Sequence, residues 1–184
     1  ADALSQSPTF FSLWIGGNDV LGYATTGGDG TDPITPTVTF SNAYNALTSQ
    51  LAASGRKGVV ANLPYVTTLP YFKTVPHNPL TSSVLGKGST AVGDATISAL
   101  NTQLYGPLKQ VLTAFGAGSR LNLLSATGGN PLLIKDESLP NLAAQLTAAF
   151  TPSLGAGTAA VYGAIFGQAR QATSSDLILL PTQY

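Results

Sequence analysis

Two short apolar runs limit what this chain can fold into. PTFFSLWI (8–15) is aromatic and β-rich, and Pro8 and Gly16-Gly17 bound it. GVVANLP (58–64) is the second run, closed by Pro64. Between them lies a segment with helical periodicity, 39–54. Phe40, Ala43, Tyr44, Leu47 and Leu51 fall on one face at i, i+3, i+4, i+7 and i+11. Gly55 follows, in the position that a helix C-terminus favours. Strand, crossover helix and strand make a βαβ unit, so an α/β fold with a parallel sheet is expected.

The rest of the chain is read as continuing one domain over residues 1–184, with no internal repeat and no boundary. TTGGDGTDPITP (25–36) is loop by composition. Residues 65–93 are rich in Pro, Thr, Ser and Gly and read as a long surface insertion of the kind that shapes binding sites. A helix is expected over 95–115, carrying Ile97, Leu100, Leu104, Leu108, Val111, Leu112 and Phe115, with a kink at Gly106-Pro107. SRLNLLSA (119–126) and NPLLIKD (130–136) are strand candidates, the second the better one. A short helix follows over 140–150, with Ser138 as its cap and Pro140 in the first turn. TAAVYGAIFGQARQA (158–172) reads as a helix weakened by Gly163 and Gly167. DLILLP (176–181) closes as an apolar strand.

Composition removes several function classes. Charged residues make up 9% of the 184, against an average near ~25%. Eight basic and eight acidic residues cancel. There is no basic stripe for nucleic acid and no Lys/Arg cluster for an anionic membrane surface. Cysteine is absent and a single histidine is present, so disulfides and Cys-based zinc sites are out and a buried metal site is not expected. No window reaches the ~18 uninterrupted apolar residues of a membrane span. The nearest, 146–167, is broken by Pro152 and several glycines. Low charge, a Thr/Ser/Asn-rich surface and absent cysteine lean toward an extracytoplasmic setting, secreted or at the cell surface. Methionine is absent, the initiator included, which points to a processed chain or a piece of a longer one.

The chemistry gathers at the end of the first apolar run, where LWI is followed by Gly16-Gly17-Asn18-Asp19. In open α/β sheets, ligands bind just beyond the carboxyl ends of the strands. Glycines let the backbone turn sharply there. An Asn carboxamide is then a neutral donor with two N–H groups, suited to an oxygen that becomes an oxyanion. Asp19 is placed to hold the turn by accepting backbone N–H bonds. The same four residues also satisfy ordinary turn chemistry.

LWIGGND, an apolar strand running into G-x-N-D, resembles block III of the SGNH/GDSL hydrolases. PTFFSLWIGGNDVLGYATTGG, GVVANLPYVTTLPYFKTVPHNPL and FGQARQATSSDLILLP together resemble secreted GDSL-type lipase/acylhydrolases of Bacteroidetes-like bacteria, over most of the chain. The resemblance implies a flavodoxin-like three-layer α/β/α fold and an ester hydrolase of Ser-His-Asp type. It needs no cofactor and acts on a small-molecule or lipid ester. It gives Asn18 the role of oxyanion donor, with Gly16 and Asp19 as the frame of its block. The family's G-D-S nucleophile block, its block II glycine and its D-x-x-H block have no counterpart here. Ser5 and Ser7 lack the preceding Gly-Asp and the strand. The chain thus resembles a central fragment, incomplete in its sheet and its catalytic set. The missing parts are expected from other segments of the polypeptide or a partner chain. Without the family's first strand, PTFFSLWI would present an unpaired apolar edge.

The remaining candidates are weighed singly. Tyr65, Tyr71 and Phe72 follow the second run and either line an acyl pocket or pack the insertion onto the core. His77 has no carboxylate two or three positions before it and is read as a rim residue. Asp136 and Glu137 are read as capping a turn, Asp176 as structural, and Arg170 as pairing with an acid or capping a helix. The alternative to an esterase is a catalytically silent surface module, binding carbohydrate or protein through the 65–93 insertion.

Overall fold

The computed structural model describes residues 2–28 and 30–179. Their contacts gather into two compact units. The first runs to Thr74 and includes Leu179; the second is Val75–Ile178. No helix among the described residues is long and apolar enough to cross a membrane.

The first unit opens with a one-turn helix α1 (Asp2–Ser5) and strand β1 (Phe10–Leu13), followed by helices α2 (Asn18–Thr25) and α3 (Thr37–Ala52) and strand β2 (Lys57–Val60). β1 and β2 pair in parallel, Phe10 opposite Lys57 and Leu13 opposite Val60. The α/β class and the βαβ unit are therefore present, with α3 in the crossover. Strand pairing stops short of Trp14 and Ile15, because the chain turns at Gly16 with φ +109°. The Phe11 ring covers Gly58 so closely that any Cβ there would collide with it. Helix α2 starts directly on Asn18, so Asn18 and Asp19 open a helix where the sequence suggests only turn chemistry.

This layer is thin. The Thr9 and Leu13 carbonyls accept the Lys57 and Ala61 N–H groups, at 3.4 and 2.9 Å. Alternate residues of a parallel strand turn to opposite sides. The backbone groups of Phe10, Ser12 and Trp14 thus face away from β2, on an edge with no partner strand among the described residues. All four β2 residues are exposed. Of the predicted stripe on α3, Phe40, Tyr44 and Leu51 are half-buried while Ala43 and Leu47 are exposed, and no residue of α3 is buried.

The second unit holds a conventional core. It contains α4 (Ser82–Leu85), α5 (Thr90–Leu100), α6 (Gly106–Ala114), β3 (Leu133–Lys135), α7 (Ala143–Leu154), α8 (Ala156–Phe166) and β4 (Ala169–Gln171). Two of these helices lie in or begin within the 65–93 stretch, and its first half carries two 3₁₀ turns, Val66–Thr68 and Pro70–Phe72. Ile97, Leu108, Leu112, Leu146 and Ala159 are the centre of the core, Leu146 and Ala159 with no exposed surface. Burying each large aliphatic side chain contributes about 1.5–3 kcal/mol. Gly163 is a packing residue: a Cβ there would strike Ala143 and Thr147, so its absence lets α8 close on α7.

Several expectations change here for physical reasons. The helix expected over 95–115 starts earlier, at Thr90, and a π-turn over Asn101–Tyr105 separates α5 from α6. The wider turn receives Pro107, which has no N–H to give and would crowd the carbonyl one turn back. SRLNLLSA forms no strand. Its backbone hangs on two side-chain amides instead: Asn101 bonds the Leu124 N–H and carbonyl at 2.8 and 2.9 Å, and Gln171 bonds those of Asn122 at 2.9 and 3.0 Å. Leu121 and Leu124 are buried by this arrangement. The better candidate, NPLLIKD, does supply β3, paired antiparallel with β4. β4 uses residues that the sequence reading gave to a helix, because α8 ends at Phe166. Ser138 does not cap α7; its N–H and hydroxyl both donate to Asp136, and Asn141 accepts the Ala143 N–H at the helix start. Of DLILLP, Ile178 makes one antiparallel bridge to Val75, and residues 180–181 lie outside the described residues.

Candidate functional site

The carboxyl end of β1 opens onto a cavity of about 490 Å³, within the range of small-molecule sites. One wall is the turn itself, Trp14 through Asn18, continued by Asp19, Val20 and Leu21 of α2. The facing wall comes from the chain after β2: Leu63, Pro64, Val66 and Leu69. The βαβ unit makes this possible, since parallel strands deliver both connections to the same end of the sheet.

Gly16 sets the turn. A Cβ on it would lie 2.9 Å from Leu63 and 3.1 Å from the Phe40 ring, and its positive φ disfavours any side chain. Asn18 comes next and is exposed on the cavity wall. Its carboxamide makes no hydrogen bond with any described residue, which leaves both N–H donors free for a ligand. The first turn of α2 closes on itself: the Asp19 N–H donates to Gly16 O at 3.2 Å and Leu21 N–H to Gly17 O at 2.9 Å. The Gly17 and Asn18 N–H groups stay outside this pattern. They sit at the positive end of an eight-residue helix and line the same cavity. Sequence reasoning missed these two backbone donors; the signal was Gly-Gly directly before a helix.

Asp19 belongs to the same frame but holds it differently from the expectation. Its backbone carbonyl, not its carboxylate, accepts the Thr35 N–H at 3.2 Å, tying the 25–36 loop back to α2. The Asp32 carboxylate rests where Gly22 has no Cβ, which gives that loop a second attachment.

The three aromatic candidates stand apart from the cavity wall, which their neighbours build. Tyr65 is 82% exposed. Phe72 is buried and packs edge-on against Tyr71, with centroids 5.1 Å apart. His77 belongs to the second unit and is half-buried, with its carbonyl accepting the Leu132 N–H.

The charged candidates of the second unit form one cluster. Arg170 on β4 donates from Nε to Asp136 at 2.6 Å, and from Nη1 and Nη2 to the two Asp176 oxygens at 2.7 and 2.8 Å. Hydrogen bonds from Arg170, then from Thr173, hold the Asp176 carboxyl well below the usual carboxylate range. Ser138, then Arg170, lower Asp136. Every group is satisfied, so the cluster fastens the loop after β4 to the end of β3. Glu137 instead pairs with Lys135 on the surface.

Compared with known proteins, the chain matches no family model, no curated protein and no solved structure.

Proposed function

We propose that this chain is the central part of a serine ester hydrolase of the SGNH/GDSL type. The observation that carries the reading is the free carboxamide of Asn18 on the wall of an apolar cavity, just beyond the carboxyl end of β1. The resemblance of LWIGGND to the family's block III assigns that amide its role. A serine outside residues 1–184, on another segment of the polypeptide or a partner chain, attacks the ester carbonyl. As the carbonyl oxygen gains charge, Asn18 donates to it, assisted by the Gly17 and Asn18 N–H groups. A base supplied with the serine takes the hydroxyl proton on attack and hands it to the leaving alcohol, and water then releases the acid.

In this reading the two-stranded parallel sheet is part of a flavodoxin-like three-layer sheet. The unpaired β1 edge supports it, because parallel sheets are normally enclosed. An extracytoplasmic location, secreted or on the cell surface, belongs to the same proposal.

The test is made on the intact source polypeptide. It is expected to label with a fluorophosphonate serine probe and to hydrolyse p-nitrophenyl esters. Absence of both labelling and turnover would reject the hydrolase and leave the silent binding module.

A further inference from the structure

Asn18 is carried by a helix with no buried residue. α2 is eight residues long, and a helix that short is marginal without outside contacts. Gly22, in its middle, weakens it further, since alanine there would be the better helix former. Contacts come from the chain that follows. Gly27 and Gly28 reverse its direction with φ of +76° and +72°, and the Gly28 N–H donates to the Tyr23 carbonyl at 2.9 Å. Residues 30–35 then return along α2 toward its start. The Asp32 carboxylate fills the notch at Gly22, so closely that any Cβ there would overlap it. Last, the Thr35 N–H donates to the Asp19 carbonyl at 3.2 Å, one residue from Asn18. The three attachments meet α2 at residues 23, 22 and 19, in descending order.

We propose that Asp32 and Gly22 are positioning residues for Asn18. Asp32, lodged in the Gly22 notch, clasps the return loop to α2, and the clasp fixes the first turn from which the Asn18 carboxamide is presented. Glycine weakens the helix at this position, yet any other residue would expel the carboxylate. Aiming the amide at an ester carbonyl rests on the hydrolase reading; holding α2 in place does not.

The test uses the intact source polypeptide, with Asp32→Ala at an exposed position as the main variant. Hydrogen exchange read by mass spectrometry is expected to show the α2 amides exchanging about tenfold faster than in the parent. On p-nitrophenyl esters kcat is expected to fall about ten- to a hundredfold with KM within about twofold, the mark of a displaced group rather than a lost binding contact. In an Asn18→Ala background, Asp32→Ala is expected to lower kcat by less than about twofold, because its effect passes through the amide. Gly22→Ala gives a second reading. Better helix propensity alone would slow exchange in α2 and leave kcat unchanged, whereas expulsion of Asp32 speeds exchange and lowers kcat. Unchanged exchange in Asp32→Ala, or slower exchange in Gly22→Ala, would overturn the proposal. So would an unchanged kcat in an active polypeptide, or a kcat loss as large without Asn18 as with it. Faster exchange in a polypeptide that neither labels with the fluorophosphonate probe nor turns over esters keeps the clasp and removes the hydrolase. Ester turnover with exchange and kcat indifferent to Asp32 does the reverse.

Discussion

Gly16 and Leu63 approach so closely that a methyl group on Gly16 would sit 2.9 Å from Leu63 Cδ1. The contact joins the two connections that leave the parallel strands, and the cavity lies between them. Gly16→Ala adds this clash to a positive φ of +109°. It is expected to cost about 1–3 kcal/mol of stability, measured by urea denaturation, and to weaken ligand binding as the turn moves.

Asn18→Ala removes the carboxamide donor without touching the turn. In the complete hydrolase kcat is expected to fall about 10²–10³-fold, with KM little changed. Steady-state kinetics on p-nitrophenyl esters check this, and a loss confined to KM would reassign Asn18 to ground-state binding.

The Arg170 cluster predicts an acid response of the second unit. Asp176 titrates below its ordinary value of 3.8 in the folded chain. Its contribution is therefore complete above that value and is lost as pH falls from there toward the folded value. Thermal melts from pH 7 downward are expected to show Tm dropping below about pH 4, with a shallower drop in Asp176→Asn.

Leu146 has no exposed surface. Leu146→Ala is expected to destabilise the chain by about 2–5 kcal/mol, read from the urea midpoint.

Ser12 sits on the open edge of β1, its backbone groups turned away from β2. Ser12→Lys places a charge where another chain would pair. Light scattering is expected to show less self-association than in the parent chain, at unchanged circular dichroism.

The βαβ unit was legible because its signals are local: two apolar runs, a 3.6-residue stripe and glycines at the turns. Asn18 was legible for the same reason, since Gly-Gly-Asn-Asp sits where a strand must end. What escaped depends on distant partners. Residues 121–124 look like a strand, yet Asn101 satisfies the backbone of Leu124 and Gln171 that of Asn122, from 23 and 49 positions away. Residues 169–171 continue a helical pattern, but β3 claims them. Tyr65, Tyr71 and Phe72 follow the second apolar run, and their position alone is compatible either with lining a pocket or with packing onto the core. Backbone direction after β2 gives the cavity wall to Leu63, Val66 and Leu69.

The π-turn at Asn101–Tyr105 has a consequence for sequence drift. It accommodates one residue more than a regular helix, so the buried positions step from Ile97 to Tyr105 and onward to Leu108 and Leu112. A homologue that lost one residue inside this turn, and carried another residue in place of Pro107, would keep the same core contacts on a plain α-helix. Loss of a residue in the middle of α5 or α6 would instead rotate the buried positions on one side of it out of the core. Deletions along this stretch are therefore tolerable at one place.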